Sequence, residues 1–178
     1  SSPDLADVLA SLAAQDYPTV QVVLLVTSAD EAIVADHRRL AESLLPAVHV
    51  RGVGDVGFAR AANQVLRLVD GDGGLFVVMH DDVALAPDAI RQLVEEMFRS
   101  NAGILGPKLV RFDAPDILSS VGYDVDRFGE LDDGLEPLEL DQEQHDATGD
   151  KFALSSACLL VRADLFRRLD GFDVDHPF

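Results

Sequence analysis

The sequence predicts an α/β domain in which a mostly parallel sheet is flanked by helices. Two apolar runs carry that expectation. Residues 20–26 (Val-Gln-Val-Val-Leu-Leu-Val) and 75–79 (Leu-Phe-Val-Val-Met) lack the polar alternation of a half-solvated strand. Such runs belong to strands covered on both faces, as in a parallel sheet between helix layers. Helical patterns separate and follow them, so the chain reads helix, strand, helix, strand, helix in turn. At 178 residues, 48% hydrophobic and 26% charged, it is long enough for a single domain, 1–178, with a proper core.

Leu5, Val8, Leu9 and Leu12 recur at i, i+3, i+4 and i+7, so the first element is an amphipathic helix. Ser2 or Asp4 caps it, Pro3 is tolerated in its first turn, and Tyr17-Pro18 ends it. After the strand at 20–26 come a helix over 32–45 and a short strand at 48–50. Gly57 opens a third helix, with Phe58, Ala61, Ala62 and Val65 on one face. Asp70-Gly71-Asp72-Gly73-Gly74 is a turn, and the strand at 75–79 stops at His80-Asp81-Asp82. Pro87 starts a helix bearing Ile90, Leu93, Val94 and Met97. Residues 103–110 read as a strand and 117–129 as a hairpin or loop region. Residues 129–150 are acidic and poor in large apolar side chains, which predicts a mobile loop. Order returns with a strand over 152–161 and a helix over 164–169, closed by Gly171.

The formal net charge is −18, from 32 acidic and 14 basic side chains. So acidic a surface repels a phosphate backbone, which argues against nucleic acid as a partner. Most of these carboxylates are accounted for by a solvated surface. No apolar run is long enough to cross a bilayer. Cys158 is the one cysteine, so no internal disulfide forms, and a reducing compartment fits.

Ligands of open α/β sheets bind beyond the carboxyl ends of the strands, and His80, Asp81 and Asp82 occupy such an end. Two adjacent carboxylates repel each other, and a divalent cation makes both ionised states tolerable. Oxygen ligands suit Mg²⁺ or Mn²⁺ bridging to a diphosphate. A bare Asp-Asp pair is also an ordinary polar strand end, so this motif alone leaves both readings open.

Read in order, the blocks along the chain resemble family 2 glycosyltransferases, which have the GT-A (Rossmann-like) fold. Leu9-Ala10-Ser11-Leu12-Ala13-Ala14-Gln15-Asp16-Tyr17-Pro18 is similar to that family's first helix and the turn after it. Gly57-Phe58-Ala59-Arg60-Ala61-Ala62-Asn63 is similar to its NxGFAxAxN segment, and Phe76 to Val83 to the strand carrying its DxD motif. Gly106-Pro107-Lys108-Leu109 resembles its GPKL strand. Ser155-Ser156-Ala157-Cys158-Leu159-Leu160-Val161-Arg162, followed by Leu169-Asp170-Gly171-Phe172-Asp173, resembles SGAxLLxRR…GGFDE.

The resemblance, of a look met in actinobacteria, implies an inverting transfer of sugar from a nucleotide-diphosphate donor to a glycan or lipid-linked acceptor, as in cell-envelope glycan synthesis. It implies a divalent metal, Mn or Mg, on Asp82 with His80. Donor contacts fall to Thr27, Gly57, Asn63, His80 and Asp81, and the acceptor side to Ser156 and Asp173. The expected location is the cytoplasm or the cytoplasmic face of a membrane, with any membrane-spanning region outside these residues. The sequence also departs from the family. His80 replaces the first Asp of DxD, and Val26 stands where an Asp reads the base, leaving Thr27 and Ser28 as the nearest polar groups. Ser156 replaces the glycine of SGA, and Asp170 the first glycine of GGFDE. The family has a strand before its first helix and a Glu-Asp general base after GGFDE. The domain is therefore expected to be incomplete at both ends, with no catalytic base assigned. Two further readings stand beside the enzyme: a non-catalytic GT-A-like domain for binding or assembly, and a nucleotidyltransferase. The latter lacks its usual glycine-rich, basic loop.

Overall fold

The computed structural model describes residues 2–69, 71 and 73–175. The chain opens with α1 (Leu5–Ala13), whose N-cap is Asp4. The Asp4 carboxylate accepts from Asp7 N at 3.0 Å and the Asp7 carboxylate from Asp4 N at 3.2 Å, a reciprocal capping box. Pro3 lies just outside this helix, where its missing N–H costs nothing. Next come β1 (Val23–Val26), α2 (Glu31–Leu44) and β2 (His49–Gly52). β1 and β2 pair in parallel, Val23 against His49 through Val26 against Gly52.

The predicted third helix divides into α3 (Phe58–Ala62) and α4 (Val65–Leu68), separated at Asn63 and Gln64. The glycine-rich turn follows, with Gly71 and Gly74 at φ of 87° and 98°, a region favouring glycine. Asp70 and Asp72 of that turn lie outside the described residues. β3 (Leu75–Met79) leads through the His80-Asp81-Asp82 end to α5 (Ala89–Ser100). The predicted strand at 103–110 is two short strands, β4 (Ile104–Leu105) and β5 (Leu109–Arg111), parted by Gly106-Pro107. β5 pairs antiparallel with β6 (Ala114–Ser120), and β7 (Asp124–Val125) with β8 (Leu131–Asp132). β9 (Cys158–Arg162) is shorter than the predicted 152–161, and α6 (Ala163–Arg168) follows it directly.

The α/β class holds, but the pairing is mixed rather than mostly parallel. Among the described residues only β1–β2 is parallel. β9 runs antiparallel between β3 and β4, in the order β3-β9-β4. An apolar run reports that both faces are covered and says nothing about direction, which explains the difference.

Three clusters make the core. Leu9, Val26, Ala41, Val48 and Val50 form one under α1 and α2. Ile90, Leu93, Val94 and Met97 of α5 close over Cys158 and Leu160 in the second, and Leu12 and Tyr17 pack against it. α1 thus contributes to two cores. Phe76, Val161, Ala163 and Phe166 form the third, against which Phe172 packs.

The acidic segment 129–150 is largely irregular but well tied. Leu118 N donates to Glu139 O at 2.9 Å and Asp141 N to Asp116 O at 2.8 Å. Lys108 Nζ donates to the carboxylates of Asp141, at 2.9 Å, and Asp146. Those bonds hold Asp141 below the usual carboxylate range and raise Lys108. Glu139 accepts from Gln144, from Glu136 N and from the His145 ring, which together lower its pKa to about 2. Among the described residues no helix is long and apolar enough to cross a membrane.

Candidate functional site

The carboxyl end of β3 is the edge near which most of the candidate residues lie. Because β9 is antiparallel with Met79 opposite Cys158, the start of β9 lies at the finish of β3. His80 N continues that ladder, donating to Ala157 O at 3.0 Å. Ser156 is therefore brought beside the His80-Asp81-Asp82 end. Asp81 and Asp82 are exposed, whereas Ser156 and His80 are half-buried.

α3 and the turn after α6 complete this edge. The Phe58 ring meets the His80 ring edge-on at 4.4 Å and the Phe172 ring at 5.6 Å. Phe172 also packs on Phe166 at 5.2 Å. Asn63 binds the backbone of Phe172 in both directions: its Nδ2 donates to Phe172 O at 2.9 Å, and its Oδ1 accepts from Phe172 N at 2.8 Å. Asp173 follows, exposed, its carboxylate accepting from Asp175 N at 2.9 Å. Arg60 of α3 reaches Asp175 at 4.0 Å and leaves positive charge near this edge of a strongly acidic protein.

Gly57 caps α3 with φ of −63°, and a Cβ there would meet nothing within 4 Å. The fold itself therefore does not demand glycine at this position. Thr27 stands apart from the rest. It is exposed at the carboxyl end of β1, in the other sheet, following the buried Val26. His80, Asp81, Asp82, Ser156, Asn63 and Asp173 thus gather on one edge, with Gly57 at the head of the adjoining α3.

His80 Nε2 is buried without a hydrogen-bond partner. Its ring is turned against Phe58, so that nitrogen does not face the solvent shared by Asp81 and Asp82. Among the described residues no three His, Cys, Asp or Glu side chains gather closely enough to enclose a metal ion. Two exposed carboxylates still suit a hard cation that takes its other oxygens from a diphosphate and water. On that chemistry Asp81 and Asp82 fit the group, and His80 as placed adds no ligand through Nε2.

Sequence reasoning passed over the brace behind this edge. Ser11 Oγ accepts from Leu85 N at 3.0 Å, and Gln15 Nε2 donates to Ala86 O at 2.8 Å. Gln15 Oε1 accepts from Ile90 N at 3.1 Å. Asp88, the N-cap of α5, makes no side-chain cap bond, so Gln15, just beyond the end of α1, caps that helix. Asp16 N donates to Pro87 O at 2.9 Å, and the Asp16 carboxylate accepts from Arg91 at 2.9 Å, which raises Arg91. The Ser-x-x-x-Gln-Asp spacing was the available signal. Its meaning appears only once α1 lies beside residues 85–91.

A mixed α/β domain with acidic side chains at a strand end, closed by a turn from the next helix, has the architecture of a ligand-binding domain. The family model described as Glycosyltransferase like family 2 matches residues 1–178, and the chain belongs to that family. Glycosyl transfer is accordingly its general activity, and relatives often use a divalent metal. No curated protein sequence and no solved structure is significantly similar to the chain.

Proposed function

We propose that this domain acts in an inverting glycosyltransferase that moves a sugar from a nucleotide-diphosphate donor to a glycan or lipid-linked acceptor. The observation that carries the reading is the convergence of Asp81 and Asp82 with Ser156 and the 171–173 turn on one edge of the sheet. In this reading Asp82 is the principal ligand of a Mn²⁺ or Mg²⁺ ion and Asp81 lies toward the ribose or diphosphate. When bound, the cation supplies charge neutralisation to the departing diphosphate. Gly57 lets the nucleotide approach the head of α3, since no protein atom needs the space a Cβ would take. Thr27 reaches the same donor from the other sheet. Ser156 and Asp173 face the acceptor, and the 129–150 segment covers that side. The setting would be the cytoplasmic face of a membrane, in the making of cell-envelope glycan.

Asp82→Ala tests the donor half. Nucleoside diphosphates and nucleotide sugars, screened by thermal shift with and without Mn²⁺, should stabilise the parent protein by mass action. The variant should keep its fold and lose the Mn²⁺-dependent increment. An unchanged nucleotide affinity in Mn²⁺ overturns the assignment of Asp82. A second reading, a binding or assembly domain without catalysis, is favoured by His80, which stands at the first acidic position of DxD and keeps its Nε2 buried. It predicts nucleotide-sugar binding with no turnover.

A further inference from the structure

We propose that Asn63 is a positioning residue, whose carboxamide clamps the Gly171-Phe172-Asp173 turn to α3 and so fixes that turn against the strand end bearing Asp81 and Asp82. The inference rests on the transfer reaction proposed above only for its activity arm. Asn63 and Phe172 are 109 residues apart, yet they exchange two hydrogen bonds of 2.8 and 2.9 Å. That is how residues pair across a strand ladder, and here one side-chain amide stands in for a neighbouring strand. Its carbonyl and its NH₂ are both engaged inside the protein, so Asn63 has its partners without a nucleotide.

The turn it holds needs holding. Asp170 and Gly171 have φ of 58° and 81°, two consecutive left-handed residues beyond the end of α6. Gly171 N donates to Phe166 O at 2.9 Å, fixing one side of the turn. The other side lies directly on Asn63: a Cβ on Gly171 would come 2.2 Å from Oδ1 and 2.6 Å from Cγ. The glycine is thus required by contact with this amide as well as by conformation. Phe172, once seated, packs between Phe166 and Phe58, and Phe58 lies on the His80 ring. A shift of the turn therefore reaches residue 80, next to both carboxylates. Asparagine alone matches the pattern, because it presents a donor and an acceptor in one plane at the right reach. Aspartate would turn a second acceptor toward Phe172 O.

The test uses Asn63→Ala, which removes both bonds, in the full chain, first without ligand. Hydrogen exchange at Phe172 N–H should quicken by about tenfold, the size of one lost hydrogen bond, while amides of Leu75–Met79 stay unchanged. Equal exchange in parent and variant overturns the clamp. Should the variant fail to fold, the parent decides: Phe172 N–H must be far better protected than that of Val174. Similar rates at the two overturn the proposal. The second arm measures affinity for UDP and GDP with Mn²⁺, and transfer from the corresponding nucleotide sugars. A positioning role leaves nucleotide affinity within about twofold while transfer falls about tenfold or more. A loss of nucleotide affinity matching that of Asp82→Ala makes Asn63 a direct donor contact and overturns it. If the parent protein binds no nucleotide, the proposed reaction fails, and the exchange measurement alone decides the clamp.

Discussion

Replacing Gln15 by alanine should cost this domain more stability than its position near a helix end suggests. The carboxamide donates to Ser11 O at 3.1 Å and Ala86 O at 2.8 Å, and accepts from Ile90 N at 3.1 Å. Two of these bonds join α1 to the segment that leads out of the Asp81-Asp82 end. Each is worth about 0.5–1.5 kcal/mol net. The Ile90 N–H lies in the first turn of α5 beside a buried side chain, where losing a cap costs about 1 kcal/mol. The sum is about 2–4 kcal/mol, or a fall in melting temperature of about 4–16 °C for a domain of this length. Thermal unfolding followed by circular dichroism measures it directly. Gln15→Glu keeps an acceptor for Ile90 N but sets its second oxygen against Ser11 O and Ala86 O, so it too should melt below the parent. A shift below about 1 °C for Gln15→Ala would refute the reasoning, because it would mean that water replaces the brace at no cost.

Cys158 is 1% exposed, and burial pushes its thiol up to about 12, so thiol reagents at neutral pH should modify it only after unfolding. The labelling rate then reports opening of the α5 core, and fast labelling of native protein would contradict its packing. Glu139 is held near 2 in the folded state, against an ordinary value of 4.5. A depressed folded pKa adds stability that is present above the unfolded value and lost as pH falls through the folded one. The 136–146 segment should therefore loosen between about pH 4.5 and 2, seen as faster amide exchange there than in β3. Lowering of Asp141 by Lys108 acts in the same direction. Gly57→Ala should change stability by less than about 1 kcal/mol, because a Cβ there meets nothing. It should nevertheless weaken nucleotide binding in a Mn²⁺ titration, and equal affinity would remove Gly57 from the donor contacts.

Where periodicity was long, the sequence was legible. Ile90, Leu93, Val94 and Met97 face the core from α5 as their spacing requires, and β3 occupies the predicted residues 75–79. Asp4, one of two candidate caps, is the one used, since only it is followed three residues later by a carboxylate that reaches back. Strand direction was not legible, because Cys158 to Val161 would be apolar whichever way it ran. The break between α3 and α4 was hidden for a different reason. Asn63 spends its side chain on Phe172, and nothing local announces a partner 109 residues away. At the candidate site, the place of Asp81 and Asp82 followed from strand-end logic. The orientation of His80 did not, because it depends on Phe58 packing against its ring. The acidic composition of 129–150 suggested a mobile loop and gave no sign that Lys108 would reach two of its carboxylates.

The double service of α1 bears on how the molecule unfolds. Leu9 belongs to the core of the parallel pair and Leu12 to that of the antiparallel sheet, so this helix is a beam shared by two halves. Among the described residues no strand joins the β1–β2 pair to the β3-β9-β4 sheet. Cooperativity between the halves therefore passes largely through one helix, its brace at Gln15 and the chain that connects them. A donor that touched Thr27 on one half and Asp82 on the other would act as a second tie. Its binding would sharpen the unfolding transition as well as raise its midpoint, because two loosely joined units would then have to melt as one.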